Sequence, residues 1–578
     1  MTWCRIAYAG QVWSRYVKTG GPEVAGPKAG IMASHTAQMQ SRSGPGAIPL
    51  AAGFLLLSAS CTLKDTVAPN DTAGTRGVSA QLSGGSAQDF YASPTGSPSG
   101  DGSLTNAWDL TTALAGPAAV TPGSTIWLRG GTYTNALDPR GFASTLMGTA
   151  DAPIVVRQYP GERATVTNIL FVTGAYTWFW GFEVTHPAPQ EGVLHGVHLK
   201  GPGTKLINLV VHDATDDGIF IGPEAIGAEV NGSIVYNNGR TDNLTHGIYC
   251  KSQTGTLLLK DNIVFDNWAS GFHCFANDGP YIQNIDLEGN VAFNNYVWGV
   301  PWDQDILVGG YLPASGITVN ENYTYRTNYT NTMTADIGNY AVTNQDLVCT
   351  NNYFVGGWWR MGAWATATVT GNTLYNFAAG GMIWNLGTVS DQRWSHNTFF
   401  GDPTAVVWRH DSTDVTTFDG WRTENGFAYP GTYAGSAPTG VKIVVRPNQY
   451  EPGRANIIVY NWAQQSTVSV DVSEILHPGD RYVVRNAEDF YGRPVTSGIY
   501  IGRPLELPMV SVTPPSPVGI ATAQPAPVTG PTFDVFVLMK TGRGRCAPFS
   551  GEVEDAVGLD DEPVVAGPCQ PWVRWPRR

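Results

Sequence analysis

The sequence predicts an all-β chain in which a parallel β-helix, a solenoid of stacked coils, is followed by a small β-sandwich. Two recurring phrases and one change of spacing carry that prediction. The first phrase is a Gly leading a short apolar strand: His195-Gly196-Val197-His198-Leu199, Asp217-Gly218-Ile219-Phe220-Ile221, His246-Gly247-Ile248-Tyr249-Cys250, Ser270-Gly271-Phe272-His273-Cys274 and Trp298-Gly299-Val300-Pro301-Trp302. Its glycines step by 22, 29, 24 and 28 residues, which suits one coil per step. The second phrase is an Asn beside another apolar strand, at Asn208, Asn262, Asn290, Asn322, Asn352, Asn372 and Asn397. After about residue 430 short apolar runs follow one another between Pro and Gly turns, as sandwich strands do.

Stacking sets which residues meet. Equivalent positions on successive coils lie about 4.8 Å apart, and side chains alternate along each strand. Val197, Ile219, Ile248, Phe272 and Val300 are therefore expected to point inward, with Leu199, Ile221, Cys250, Cys274 and Trp302. His198, Phe220, Tyr249, His273 and Pro301 are expected to point outward. Cys250 and Cys274 then read as buried thiols stacked in the core. The Asn row reads as an internal amide ladder, a signal of fold and not of catalysis.

Taken in order, residues 1–61 read as a leader. The apolar run 47–57 is too short to span a membrane as a mature helix. It ends in Ser58-Ala59-Ser60-Cys61, which resembles a bacterial lipoprotein signal with Cys61 as the lipidated residue; simple cleavage is the alternative. Met32 or Met39 makes a more ordinary start than Met1. Residues 62–87, small and polar, read as a flexible tether. The β-helix is expected over 88–430, opening with a short helix at 108–114 that buries Trp108 and Leu110. The sandwich is expected over 431–541, with apolar runs at 441–446, 457–462, 468–472, 482–485 and 533–538. It is similar to accessory domains of carbohydrate-active enzymes; capping the open solenoid end is an equal alternative. Residues 542–578 read as a mobile tail whose Cys546 and Cys569 suit a disulfide in an exported protein.

The composition, with 68 Gly, 39 Pro and 14% charged residues, agrees with turn-rich β structure. A formal charge of −13 argues against a nucleic-acid partner, which calls for a basic stripe. A strongly anionic polymer would need basic residues or a metal concentrated locally.

The stacking also gathers chemistry. The position before each Gly holds His195, Asp217 and His246 on three successive coils, with Asp216 beside Asp217 and with His212 and Asp213 just upstream. Lys200 and Lys251 occupy the fourth position after their glycines. The segment 122–133, followed by Ala152-Pro153-Ile154-Val155-Val156-Arg157, resembles the entrance to exported right-handed parallel β-helix proteins of the pectate-lyase-like superfamily, over about residues 88–400. That resemblance implies a right-handed solenoid acting on polysaccharide, exported to the surface or secreted, monomeric, and touching membrane only through a lipid anchor.

For the reaction the resemblance leaves alternatives open. Asp216-Asp217-Gly218 resembles the calcium-dependent lyases, which implies Asp213, Asp216 and Asp217 as Ca²⁺ ligands and Lys251 or Lys200 as the base. The chain departs from them at Phe220, where that phrase carries a further Asp. The same residues with His246-Gly247-Ile248 resemble polygalacturonases, which implies Asp217 as acid, Asp216 as base partner and His246 as the tuning residue. There the departure is His195, which stands where that family has an Asp. A third possibility is a transition-metal site of His195, Asp217 and His246. His195, Lys200, His273 and Trp298 are expected to meet substrate. The lyase reading is slightly favoured. Against all three stands a non-catalytic, glycan-binding solenoid, in which Asp and His before the Gly are turn residues. An enzyme needs the His195–Asp217–His246 row to open into a groove; a packing role buries it.

Overall fold

The structure, a computed structural model, describes residues 88–186, 194–240, 244–296, 304–327, 333–339, 342–376, 380–387, 391–518 and 526–543. The expected leader with Cys61, the tether and Cys546 and Cys569 in the tail lie outside these residues, as does the 298–302 phrase.

Each coil contributes one short strand to each of three 12-stranded sheets. Along one coil the first sheet receives Lys205–Ile207, the second Val210–His212 and the third Ile219–Ile221. Pairing between coils is parallel, and the third-sheet register runs Val197↔Ile219↔Ile248↔Phe272 as the Gly phrase implies. Val197, Leu199, Ile219, Ile221, Ile248, Cys250, Phe272 and Cys274 are all fully buried. His198, Phe220, Tyr249 and His273 alternate with them on the outer face and are only partly buried.

The coil after Phe272 is continued by Ile306, not Val300, and its leading position holds Asp305 in place of Gly. The insertion between them breaks the regular step on which the sequence reading relied. Cys250 and Cys274, with Cα atoms 4.7 Å apart, form a disulfide and are not stacked thiols.

The sharp corner between the first and second sheets explains the Asn row. Each such corner needs one residue in the left-handed region and then one that turns inward. Asp261 (φ 55°) and Gly289 (φ 68°) take the first position, and Asn262 and Asn290 the second. The inward amides bond along the stack, from Asn262 to Asn290 (3.0 Å), Asn322 (2.9 Å), Asn352 (3.1 Å), Asn372 (2.8 Å) and Asn397 (3.0 Å). Asn208 is not in the ladder. It is itself the left-handed residue (φ 52°), and Leu209 takes the inward place. A second, shorter ladder at the next corner joins Asn238, Asn267, Asn295 and Asp305, and it ends on a buried ion pair between Asp305 and Arg326 at 2.7 Å.

The first end of the solenoid is covered by the helix Leu110–Leu114, N-capped by the Asp109 carboxylate, which accepts the Thr112 N–H. A second helix, Phe418–Glu424, covers the other end. Its buried Trp421 packs on Trp408 and Trp394, with ring centroids 5.1 and 5.7 Å away.

The last solenoid strand is Gly431–Ala434, and the first strand of the sandwich is Val441–Pro447. A five-stranded and a two-stranded antiparallel sheet enclose a core of Ile457, Val459, Val468, Leu507 and Leu538. The sandwich does not cap the open end. Its larger sheet lies along the second sheet of the solenoid, where Ile458, Tyr460, Phe533 and Val535 pack on Tyr236, Phe265, Phe293 and Tyr325. The second sheet exposes an apolar outer face that a free solenoid would present to water, and the sandwich removes it.

Candidate active site

The third sheet carries the expected site residues at the head of its strands. Its glycines matter here: a Cβ at Gly218 would stand 2.5 Å from the Asn238 amide, and one at Gly247 would stand 2.7 Å from that of Asn267. Tight passage over the inner amides thus fixes where the preceding residues, His195, Asp217 and His246, emerge.

His195, Asp216 and Asp217 converge. The His195 Nδ1 lies 3.2 Å from one Asp216 oxygen and 3.3 Å from Asp217 Oδ2. One ligand atom from each of the three falls within 4.8 Å of the others. Burial opposes protonation of His195, but the carboxylates of Asp217 and Asp216 outweigh it and raise its pKa. Asp217 is held from the far side as well, since its Oδ1 accepts the backbone N–H of His246 at 2.8 Å. Asp217 is 2% exposed and Asp216 7%, so the cluster presents mainly the edges of His195 and Asp216.

His246 does not face substrate space. It is 1% exposed, its ring lies flat on His273 at 3.7 Å, and its Nδ1 accepts the Ser270 N–H at 3.1 Å. Burial, then the charge of His273, holds its pKa well below the usual value, so the ring is neutral. The expected open His195–Asp217–His246 row is therefore corrected: its third member is packed, and it supports Asp217 through backbone only. A transition-metal set using His246 is not assembled.

Asp213 is also drawn elsewhere. It follows a second-sheet strand and turns to the sandwich, with Oδ2 2.7 Å from His212 Nδ1 and Oδ1 accepting the Val518 N–H at 2.7 Å. The three-aspartate set is thus not brought together. His195 takes the place that Asp213 was expected to fill.

Around the cluster runs a row of rings, of which the sequence marks His273 as a substrate contact and His198, Phe220 and Tyr249 only as outward positions. Phe220 stacks on His195 at 4.8 Å and 14°, with His198 edge-on to both. Tyr249 and His273 continue the row. Burial, helped by the charges of His195 and Lys200, lowers the His198 pKa to about 3; burial alone does the same for His273. Both are neutral aromatic surface at ordinary pH. Alternation of His with Phe and Tyr was the signal that could have marked them as such.

The two lysines differ. Lys200 Nζ lies 3.4 Å from Glu224 Oε1. Lys251 Nζ lies 5.6 Å over the Tyr249 ring and forms no ion pair among the described residues. Trp298 lies outside the described residues.

A divalent cation fits this donor set, because two carboxylates suit calcium and the imidazole suits a first-row metal. The protein supplies three ligand groups, so a full calcium shell would take its remaining oxygens from water or substrate.

Residues 90–304 match the family model "Pel9A-like, right handed beta helix region". Among solved structures, pectate lyase Pel9A is 21% identical over 55% of this chain and 80% of its own, with a TM-score of 0.36. The GH136 lacto-N-biosidase from Eubacterium ramulus is 14% identical, over 60% of this chain and 66% of its own, at 0.40. A mannuronic acid specific family 6 polysaccharide lyase from human gut microbiota is 14% identical, over 61% of this chain and 92% of its own, at 0.35. No curated protein matches the sequence.

Proposed function

We propose that the chain is a polysaccharide-degrading enzyme that eliminates across a uronate residue, with a divalent cation held by His195, Asp216 and Asp217 and with Lys251 as the base. One observation carries the reading: an imidazole and two carboxylates converge to within 4.8 Å, and the next strand of the same sheet, Ile248–Cys250, leads into Lys251, which has no anionic partner among the described residues.

Elimination at a uronate passes the C5 proton to a base while charge builds on the adjacent carboxylate, and forms the C4–C5 double bond as the C4–O bond to the neighbouring sugar breaks, the departing oxygen taking a proton from water. A cation at the cluster would neutralise that carboxylate, which acidifies C5. Lys251, unlike Lys200, is not tied to a carboxylate, and so is the better placed of the two to accept the proton. Asp217 keeps its orientation through the His246 N–H, and Phe220 and His198 wall one side of His195. The flat outer rings suit the faces of sugar rings.

The shared partner of the two carboxylates speaks against the hydrolytic alternative. Glycosidase carboxyl pairs stand roughly 5–5.5 Å or 6.5–9.5 Å apart, on either side of the bond. Asp216 and Asp217 instead share His195 on one side, an arrangement for holding a positive charge.

Export accompanies this reading. The apolar run 47–57 before Cys61 supports it, as does the Cys250–Cys274 pairing, which suits an oxidising compartment. A panel of uronate-containing and neutral polysaccharides tests the proposal. Ultraviolet-absorbing unsaturated ends are expected from the former; saturated reducing ends, or binding without cleavage, would overturn it.

A further inference from the structure

The contact between solenoid and sandwich contains a second group of acids, on a different sheet from the candidate active site. Second-sheet strands end in a row of left-handed residues on successive coils: Asp213 (φ 60°), Asn237 (φ 53°), Asp266 (φ 51°) and Asn294 (φ 48°). The residues before them pair in register, as Tyr236 does with Phe265, so Asn237 and Asp266 are neighbours about one strand spacing apart.

Three of the four are anchored to the sandwich segment that passes over them. Asp213 accepts the Val518 N–H, Asn237 Nδ2 donates to the Pro515 carbonyl at 2.7 Å, and Asn294 Nδ2 donates to that of Pro527 at 3.0 Å. Asp266 is different. It is 0% exposed, and neither of its oxygens has a hydrogen-bond partner. The Asn237 Oδ1 beside it is likewise buried and unpartnered.

From the sandwich side comes Glu488, 2% exposed, whose Oε2 accepts from Thr529 at 2.9 Å while Oε1 is unpartnered. Burial, then the charge of Glu488, raises Asp266 well above the carboxylate range; burial raises Glu488 to about 8. Asp534, raised by burial and again by Glu488, stands behind it with Oδ1 bonded to Asn486 and Val535.

The rest of the protein sets the comparison. Other buried carboxylates among the described residues face a cation: Asp305 has Arg326, Asp336 has Arg360, Asp261 has Arg446, Glu229 has Lys205 and Asp480 has Lys540. Among the described residues only Asp266, Glu488 and Asp534 are buried with neither a basic side chain nor a histidine against them, and the charge of Glu488 raises both aspartates. A carboxylate removed from water without a counter-charge is strongly disfavoured, and oxygens left without donors add to that. Every orphaned atom of Asn237, Asp266 and Glu488 is an oxygen, the ligand type of a hard cation.

We propose that Asn237 and Asp266 of the solenoid and Glu488 of the sandwich hold a calcium ion that pins the two modules together. It is independent of the reaction centre. The ion supplies the positive charge that side chains supply elsewhere, and it would make the docking of the sandwich depend on calcium.

The test uses the intact chain, freed of metal by EDTA and dialysed, then titrated with Ca²⁺ while bound calcium and the thermal midpoint are followed. Wild type and the active-site variant Asp216→Asn are both expected to show a calcium-dependent rise in midpoint. Asp266→Asn and Glu488→Gln should lose that rise, and each should bind one ion fewer than wild type. Should Asp266→Asn fold poorly, Glu488→Gln and the wild-type stoichiometry decide alone. Unchanged stoichiometry in the two variants would overturn the proposal. So would an Asp266→Asn protein more stable than wild type in both EDTA and calcium, because the acids would then be neutral and merely crowded.

Discussion

Replacing His212 with Phe should loosen the protein in a pH-dependent way. The His212 ring sits between two buried carboxylates, with Nε2 2.9 Å from Glu183 Oε1 and Nδ1 2.7 Å from Asp213 Oδ2. A neutral imidazole would turn a lone pair toward one of them, so the ring is an imidazolium. Burial opposes that charge, but Asp213 and Glu183 outweigh it and raise the pKa above 6.5. Phe keeps the stacking on Tyr236, at 4.7 Å and 7°, and removes the charge together with the two ring N–H hydrogen bonds. Losing one partner of a buried ion pair costs about 3–5 kcal/mol. Arg163 and Thr165 still hold Glu183, and the Val518 N–H still holds Asp213, so the lower end, about 3 kcal/mol, applies. The sign follows from the raised pKa: the contribution is complete below the unfolded value of 6.5 and is lost as pH rises through the folded one. Glu183, lowered to about 2 by His212, Arg163 and Thr165 against its burial, bounds the window on the acid side. Urea unfolding followed by tryptophan fluorescence should show the full gap near pH 5 and a smaller one near pH 9, because the contribution falls as pH rises above 6.5. A gap of equal size at both pH values, or none, would refute the imidazolium assignment.

Asn322→Leu removes the acceptor of the Asn290 backbone and side-chain amides and a donor to Asn352, all buried, and should cost about 3–6 kcal/mol in the same assay. Asn208→Gly, which keeps the left-handed corner and loses only the bonds to Glu451 and Asn448 at the sandwich contact, should cost about 1–2 kcal/mol; a loss equal to that of Asn322→Leu would put Asn208 back in the stack. Lys251→Ala should lower turnover by roughly 100-fold or more as the loss of a general base, whereas Lys200→Ala should have a much smaller effect. The reverse order, in steady-state assays on the best substrate of the panel, would move the base to Lys200.

Much of this was legible because a solenoid turns sequence spacing into spatial neighbours. The Gly phrase fixed the parity of Val197 through Cys274, and with it the meeting of His195, Asp216 and Asp217. Where the step was irregular, the reading slipped: Trp298-Gly299 looked like another coil, but the strand resumes at Ile306 behind Asp305. Asn208 and Asn262 look alike in sequence, yet one is the left-handed corner residue and the other follows such a residue. The fate of Asp213 and His246 depended on partners distant in sequence or on the next coil, Val518 for the first and His273 for the second. The flank occupied by the sandwich was written in the aromatic second-sheet residues Tyr236, Phe265, Phe293 and Tyr325, too apolar for an outer face left in water.

The proposed function stands on a cation-assisted elimination at His195, Asp216 and Asp217. It is tested most directly by assaying chelated wild-type protein on a uronate polymer, before and after adding back calcium or manganese, beside Asp216→Asn under the same conditions. Chelated protein should be inactive and recover with a divalent cation to give unsaturated ends, while folded Asp216→Asn should remain inactive with the ion present. Cleavage that survives EDTA and yields saturated reducing ends would contradict the account.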